Sequence, residues 1–91
     1  MAIIIHFSPK GMDQKKYAEI LRRLEASGAG APLGRLHHTC YGDANALRVT
    51  DVFDTPQSFE SFGKTLVPIL TSLGVEVGQP EVVQVHNIIR G

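Results

Sequence analysis

The stretch ALRVTDVFDTPQSFESF, Ala46 to Phe62, decides the fold. Its first half alternates: Leu47, Val49 and Phe53 stand in one row, Arg48, Thr50 and Asp54 in the other, the period of a half-buried strand. Two residues break that pattern. Asp51 puts a carboxylate in the apolar row, and Val52 puts an apolar side chain in the polar row, so neither face of the strand is fully solvated. The second half opens with Thr55-Pro56, a hydroxyl N-cap followed by a proline at the first helical position. A helix follows that buries Phe59, Phe62, Leu66, Ile69, Leu70 and Leu73 on one stripe. Pro68 lies inside this stripe and predicts a kink or break near Lys64–Val67, because it removes a backbone hydrogen bond and crowds the preceding turn.

Working outward, Ile3, Ile4 and Ile5 with His6 and Phe7 form a β-branched opening strand, stopped by the Ser8-Pro9-Lys10-Gly11 turn. Asp13 caps a helix whose Tyr17, Ile20, Leu21 and Leu24 fall at i, i+3, i+4 and i+7, with Met12 stapled onto Tyr17 and Gly28 ending it. Ser27–Gly34, rich in Gly, Ala and Pro, reads as a surface loop. Arg35–Tyr41 is a second strand, returned by Gly42-Asp43-Ala44-Asn45 onto Ala46–Asp54 as a hairpin. Glu81–Ile89 is a final strand, apolar on both faces.

The order is βαββαβ, which closes as a ferredoxin-like α+β fold: a four-stranded antiparallel sheet with two helices on one face. Two helices cover only one side of the sheet, yet isoleucines and valines point to both. A bare apolar face of this extent marks an interaction surface, and its simplest occupant is a second copy, giving a symmetric homodimer.

Length and composition agree. The 91 residues make a single domain, 1–91. A chain this short buries only about 60–65% of its unfolded surface, so a partner chain helps it. Nine acidic and nine basic residues cancel, which removes any general attraction to nucleic acid or an anionic membrane. An RNA-binding module of similar topology is disfavoured, since the sheet lacks paired exposed aromatics. The single cysteine, Cys40, excludes an internal disulfide and suits a reducing compartment. No stretch reaches membrane-spanning length, and Ala2–Ile5 is too short for a signal-peptide core, so the expected setting is the cytoplasm.

Several groups of residues carry chemistry as candidates. Asp51 is the most informative charge, because a carboxylate in an apolar row must be paired or hydrogen-bonded. It serves either as a general base or polar anchor in an apolar pocket, or as a structural partner of Arg48, Arg35 or an arginine of a second copy. Of the four histidines, His6, His37, His38 and His86, adjacent His37 and His38 point to opposite faces. His38 shares a row with Leu36 and Cys40 and is favoured; His86 is the second candidate, brought toward His38 across a dimer. Phe53, Val49 and Tyr41 shape a flat apolar ligand pocket, although strand aromatics are more often plain core. No His-x-His, Cys-x-x-Cys or His-Glu-x-x-His spacing offers a metal site, and neither a Gly-rich phosphate loop nor a Gly-x-Ser-x-Gly elbow is present.

Taken together, Phe7–Met12 leading into the first helix, Gly34-Arg35-Leu36-His37-His38, Val49–Thr55 entering the second helix, Leu66-Val67-Pro68 and Val85-His86-Asn87 resemble the dimeric α+β barrel proteins. Within these the likeness is to small relatives of the antibiotic-biosynthesis monooxygenases. The resemblance implies a homodimer with a ligand cavity on the sheet face opposite the helices, and cofactor-independent oxidation of an apolar, aromatic or polyketide-like small molecule. It does not imply haem chemistry, since Gly63 stands near the place of the histidine that haem-degrading relatives carry on the second helix. The alternative is a non-catalytic ligand-binding or assembly module.

Overall fold

The computed structural model describes Met1–Gly91. Six elements follow in the expected order: β1 (Ile3–Phe7), α1 (Gln14–Ala26), β2 (Arg35–Asp43), β3 (Ala46–Phe53), α2 (Pro56–Ser72) and β4 (Glu81–Gln84). The sheet order is β2-β3-β1-β4, all antiparallel, which makes β2 and β4 the edges. This is the ferredoxin-like α+β fold.

Local chemistry sets the helix starts. Asp13 accepts the Lys16 amide at 2.8 Å, and Thr55 Oγ1 accepts the Ser58 amide at 3.1 Å ahead of Pro56. Gly28 and Gly74 take left-handed φ of 84° and 73° just past the helix ends, a conformation that closes a helix cheaply only with glycine.

The core lies between the helices and the inner row of the sheet. Ile3, Ile5 and Phe7 from β1 and Leu47, Val49 and Phe53 from β3 meet Ile20 and Leu24 from α1 and Phe62 and Leu70 from α2. Phe53 and Ile5 are completely buried. Phe53 packs its ring at 5.6 Å from Phe59 and 5.8 Å from Phe62. Leu21, read from periodicity as part of the buried stripe, is 42% exposed.

Three local expectations need correction. Pro68 does not break α2, which continues to Ser72. Both Pro68 and Lys64, whose carbonyl loses its partner, are on the exposed side, where water replaces the missing bond. The last strand ends at Gln84 and not at Ile89. Gln84 is paired with Ile3, the first residue of β1, and beyond it only the Val85 amide to the Ala2 carbonyl, at 3.0 Å, continues the ladder. The third correction concerns β2, which carries an irregularity between Arg35 and His37: Arg35 faces Phe53 and His37 faces Val52, so one extra residue, Leu36, is accommodated. Leu36 therefore leaves the row of His38 and joins His37 and Val52 on the helix-free face.

That helix-free face carries Ile4, His6, Tyr41, Thr50 and Val52, with Ile88 and Ile89 of the C-terminal tail beside Leu36 and Val52. Val52 is 8% exposed, shielded by this tail, while Leu36, Val83 and Ile88 remain 44–49% exposed.

Candidate functional site

Asp51 lies in the middle of β3, opposite Ile5 on one side and His38 on the other. Its row is the helix-covered one, which explains its 2% exposure. A carboxylate in that position needs a donor, and β2 supplies it. Asp51 Oδ1 lies 2.5 Å from His38 Nδ1. A carboxylate only accepts, so Nδ1 carries the proton. The other nitrogen of a neutral ring, Nε2, then accepts the Tyr17 hydroxyl at 2.6 Å. The Tyr17 and His38 rings are within 4° of parallel. A chain of three side chains from α1, β2 and β3 thus joins helix to sheet: Tyr17 to His38 to Asp51. No buried side-chain nitrogen or oxygen is left without a partner.

Tyr17 is the member that periodicity conceals. Its spacing with Ile20 and Leu24 marks an inward-facing apolar position, and its ring does face inward. The available signal is its hydroxyl, which a buried tyrosine must satisfy. Burial pushes the Tyr17 hydroxyl up to about 12, reinforced by the neighbouring Cys40 and Asp51 and opposed by Arg35. Burial likewise pushes the Cys40 thiol up. Tyr17 is therefore a neutral donor across the physiological range. Because its folded value stands above the ordinary one near 10, the stability it contributes is complete below pH 10 and is lost as pH rises through about 12. Absorbance titration of the phenolate band should show one of the two tyrosines ionising near pH 12, a step that disappears in Tyr17→Phe.

The triad forms one wall of a cavity between the helices and the sheet. Ten of its fourteen lining residues are hydrophobic, among them Phe7, Ile20, Val49, Phe62 and Leu66; the polar groups in the wall are the Tyr17 hydroxyl and the side chains of His38, Asp51 and Arg35. The space is small, about 50 Å³, room for a few water molecules or one dioxygen, and half-exposed Leu21 is part of its lining.

The structure thus brings together Asp51, His38 and Val49, and separates the other candidates. Phe53 is sealed in the core behind Phe59 and Phe62 and does not line the cavity. Tyr41 is on the helix-free face, where its hydroxyl lies 2.9 Å from His6 Nδ1 and the Arg48 guanidinium sits 5.0 Å over its ring. His86 is exposed in the tail beyond β4, at the sheet edge opposite β2. Within one chain His38 faces the helices at one sheet edge and His86 stands beyond the other, so the two do not meet. Asp51 and His38 share the inner row with Val49, so the cavity they line lies under the helices; a second hollow, on the helix-free face, is lined by Leu36, His37, Val52, Ile88 and Ile89. No group of three or more His, Cys, Asp or Glu side chains is gathered in metal-binding geometry. No helix is long and apolar enough to cross a membrane.

No family model matches the sequence, and no curated protein is similar to it. Solved structures are. SnoaB, a cofactor-independent oxygenase from Streptomyces nogalater, superimposes with a TM-score of 0.63 at 14% identity, over 99% of this chain and 96% of that one. A proposed antibiotic biosynthesis monooxygenase from Chloroflexus aurantiacus gives 0.60 at 17% identity, over 99% and 97%. Another from Deinococcus radiodurans gives 0.63 at 14% identity, over 99% and 97%. At such identities the likeness speaks for the backbone and not for the side chains, and the fold is the one these antibiotic-biosynthesis monooxygenases share.

Proposed function

We propose that this chain is a homodimeric, monooxygenase-like protein that takes an apolar, aromatic small molecule into the cavity between helices and sheet and removes a proton from it without a metal or flavin. The supporting observation is the buried Asp51 holding His38 at 2.5 Å, with Nε2 turned to a hydroxyl beside an apolar cavity. Asp51 keeps the proton on Nδ1 and steadies the imidazolium that forms when Nε2 accepts a second one. The Tyr17 hydroxyl, a donor to His38, yields Nε2 to the ligand or passes the ligand's proton along. The resulting enolate or carbanion is electron-rich. Dioxygen accepts one electron from it, the two radicals combine as a peroxide anion that takes the proton back from the His38 imidazolium, and loss of water from this hydroperoxide leaves a new carbonyl on the carbon that bore two hydrogens.

Anthrone tests this directly. The protein should accelerate oxygen uptake and anthraquinone formation in the presence of a chelator, and His38→Gln should remove the acceleration. Absence of any acceleration favours the second reading, a non-catalytic binding or assembly module, for which the small volume speaks: the walls must give way before an aromatic ring enters.

The dimer rests on the exposed Leu36, Val83 and Ile88 of the helix-free face. Light scattering at micromolar concentration should give twice the 9.9 kDa chain mass, and Leu36→Glu should return it to one chain; a monomeric native protein contradicts this assembly.

A further inference from the structure

We propose that the ligand of this cavity carries a carboxylate and that Arg35 receives it; the inference rests on the cavity reading above and adds the ligand's charge. Arg35 is the one cation in the lining. Its position there is a product of the β2 irregularity. Arg35 pairs with Phe53 and His38 with Asp51, so both face the helices although three residues apart, a spacing that puts side chains on opposite faces of a regular strand.

The guanidinium is half-buried and has no carboxylate partner. The ion pairs of the chain are Arg22 and Arg23 with Glu19, and the buried carboxylate of Asp51 is taken up by the His38 Nδ1–H. The only hydrogen bond from the Arg35 side chain runs from Nη2 to the Gly30 carbonyl at 3.0 Å. The Phe62 ring lies 5.8 Å from its centre, an apolar support for the planar group that leaves its edge free. An unpaired cation beside a mostly apolar cavity is costly, and a planar anion offers it parallel hydrogen bonds.

A carboxylate fits better than a phosphate. Only one cation is available, and Asp51, the one carboxylate in the wall, is committed to His38 and repels a second negative charge. The ligand is therefore an aromatic monoacid, with its acid on Arg35 and its ionisable O–H or C–H toward Tyr17 and His38.

The probes are para-hydroxybenzoate and its neutral counterpart para-hydroxybenzamide, compared by titration calorimetry and thermal shift near neutral pH. The native protein should bind the acid about tenfold or more tighter than the amide, the increment of a charge-assisted hydrogen-bonded pair. In Arg35→Met the ratio should fall to near one. Arg35→Lys, which keeps the charge and loses the fork, should fall between, and it carries the test if Arg35→Met does not fold. Equal binding of acid and amide by the native protein, or an acid preference that survives in Arg35→Met, overturns the role of Arg35 and leaves the cavity reading standing. Failure of both compounds to bind at millimolar concentration overturns the cavity reading and this inference with it.

Discussion

Phe53→Ala should remove a large part of the stability of the domain. Its side chain is fully buried, its ring meets Phe59 and Phe62, and it stands at the last residue of β3 where the chain turns into α2. Deleting a buried phenylalanine costs about 3–5 kcal/mol through lost burial and the cavity left behind. A 91-residue domain has a total stability of roughly 5–14 kcal/mol. Each kcal/mol moves the midpoint by about 4–8 °C at this size, so the thermal transition should fall by at least about 12 °C. Phe53→Leu, which refills much of the space, should cost under about 1.5 kcal/mol. Since Phe53 does not line the cavity, the leucine variant should bind ligand as the native protein does. Weakened binding without loss of stability would restore Phe53 to the pocket.

Asp51→Asn should separate chemistry from folding. The amide has nearly the shape of the carboxylate and can still join His38, but it satisfies the imidazole in the other sense, donating its N–H to Nδ1. The ring proton then moves to Nε2, where it points at the Tyr17 hydroxyl, and the site has lost its base. Turnover of an anthrone-type substrate should fall by roughly 10²–10⁴-fold, the range spanned by general-base loss and by the corresponding change in the serine-protease triad. The melting temperature should fall only modestly, since the one group that loses its acceptor is the half-buried Tyr17 hydroxyl, which then accepts from Nε2. Asp51→Leu, in contrast, leaves the His38 Nδ1–H without an acceptor at a site where Asp51 is 2% exposed, costing about 1–3 kcal/mol. A large drop in stability for the asparagine variant with turnover intact would make Asp51 a structural residue.

The architecture was legible because its signals are local. Alternation in β3, the Thr55-Pro56 start and the glycines past each helix recur in the structure where the sequence puts them. Asp51 stood out for the same reason: a charge in an apolar row has to be accounted for. What alternation does not reveal is the side of the sheet on which the helices lie. The row of Asp51 faces them, so Asp51 and His38 line a cavity beneath α1 and α2 and not the hollow on the helix-free face.

Arg35 was concealed by the irregularity in β2. Counting by two from His38 places Leu36 in its row, and the extra residue exchanges Leu36 for Arg35. Tyr17 was hidden in plain periodicity, since a helix stripe counts an aromatic ring as apolar and takes no account of its hydroxyl. The over-long final strand has a similar origin. Val82, Val85 and Ile88 carry strand propensity, but a strand needs a neighbour to pair with, and β1 offers none past Ala2.

The proton positions on His38 test the relay most directly. Two-bond proton–nitrogen correlation spectra of the histidine rings, recorded on the native protein and on Asp51→Asn near neutral pH, assign them. Native His38 should hold its proton on Nδ1 with Nε2 unprotonated, and the variant should show the opposite tautomer. A native His38 protonated at Nε2, or one averaging rapidly between both forms as a free imidazole does, would contradict a base held ready by Asp51.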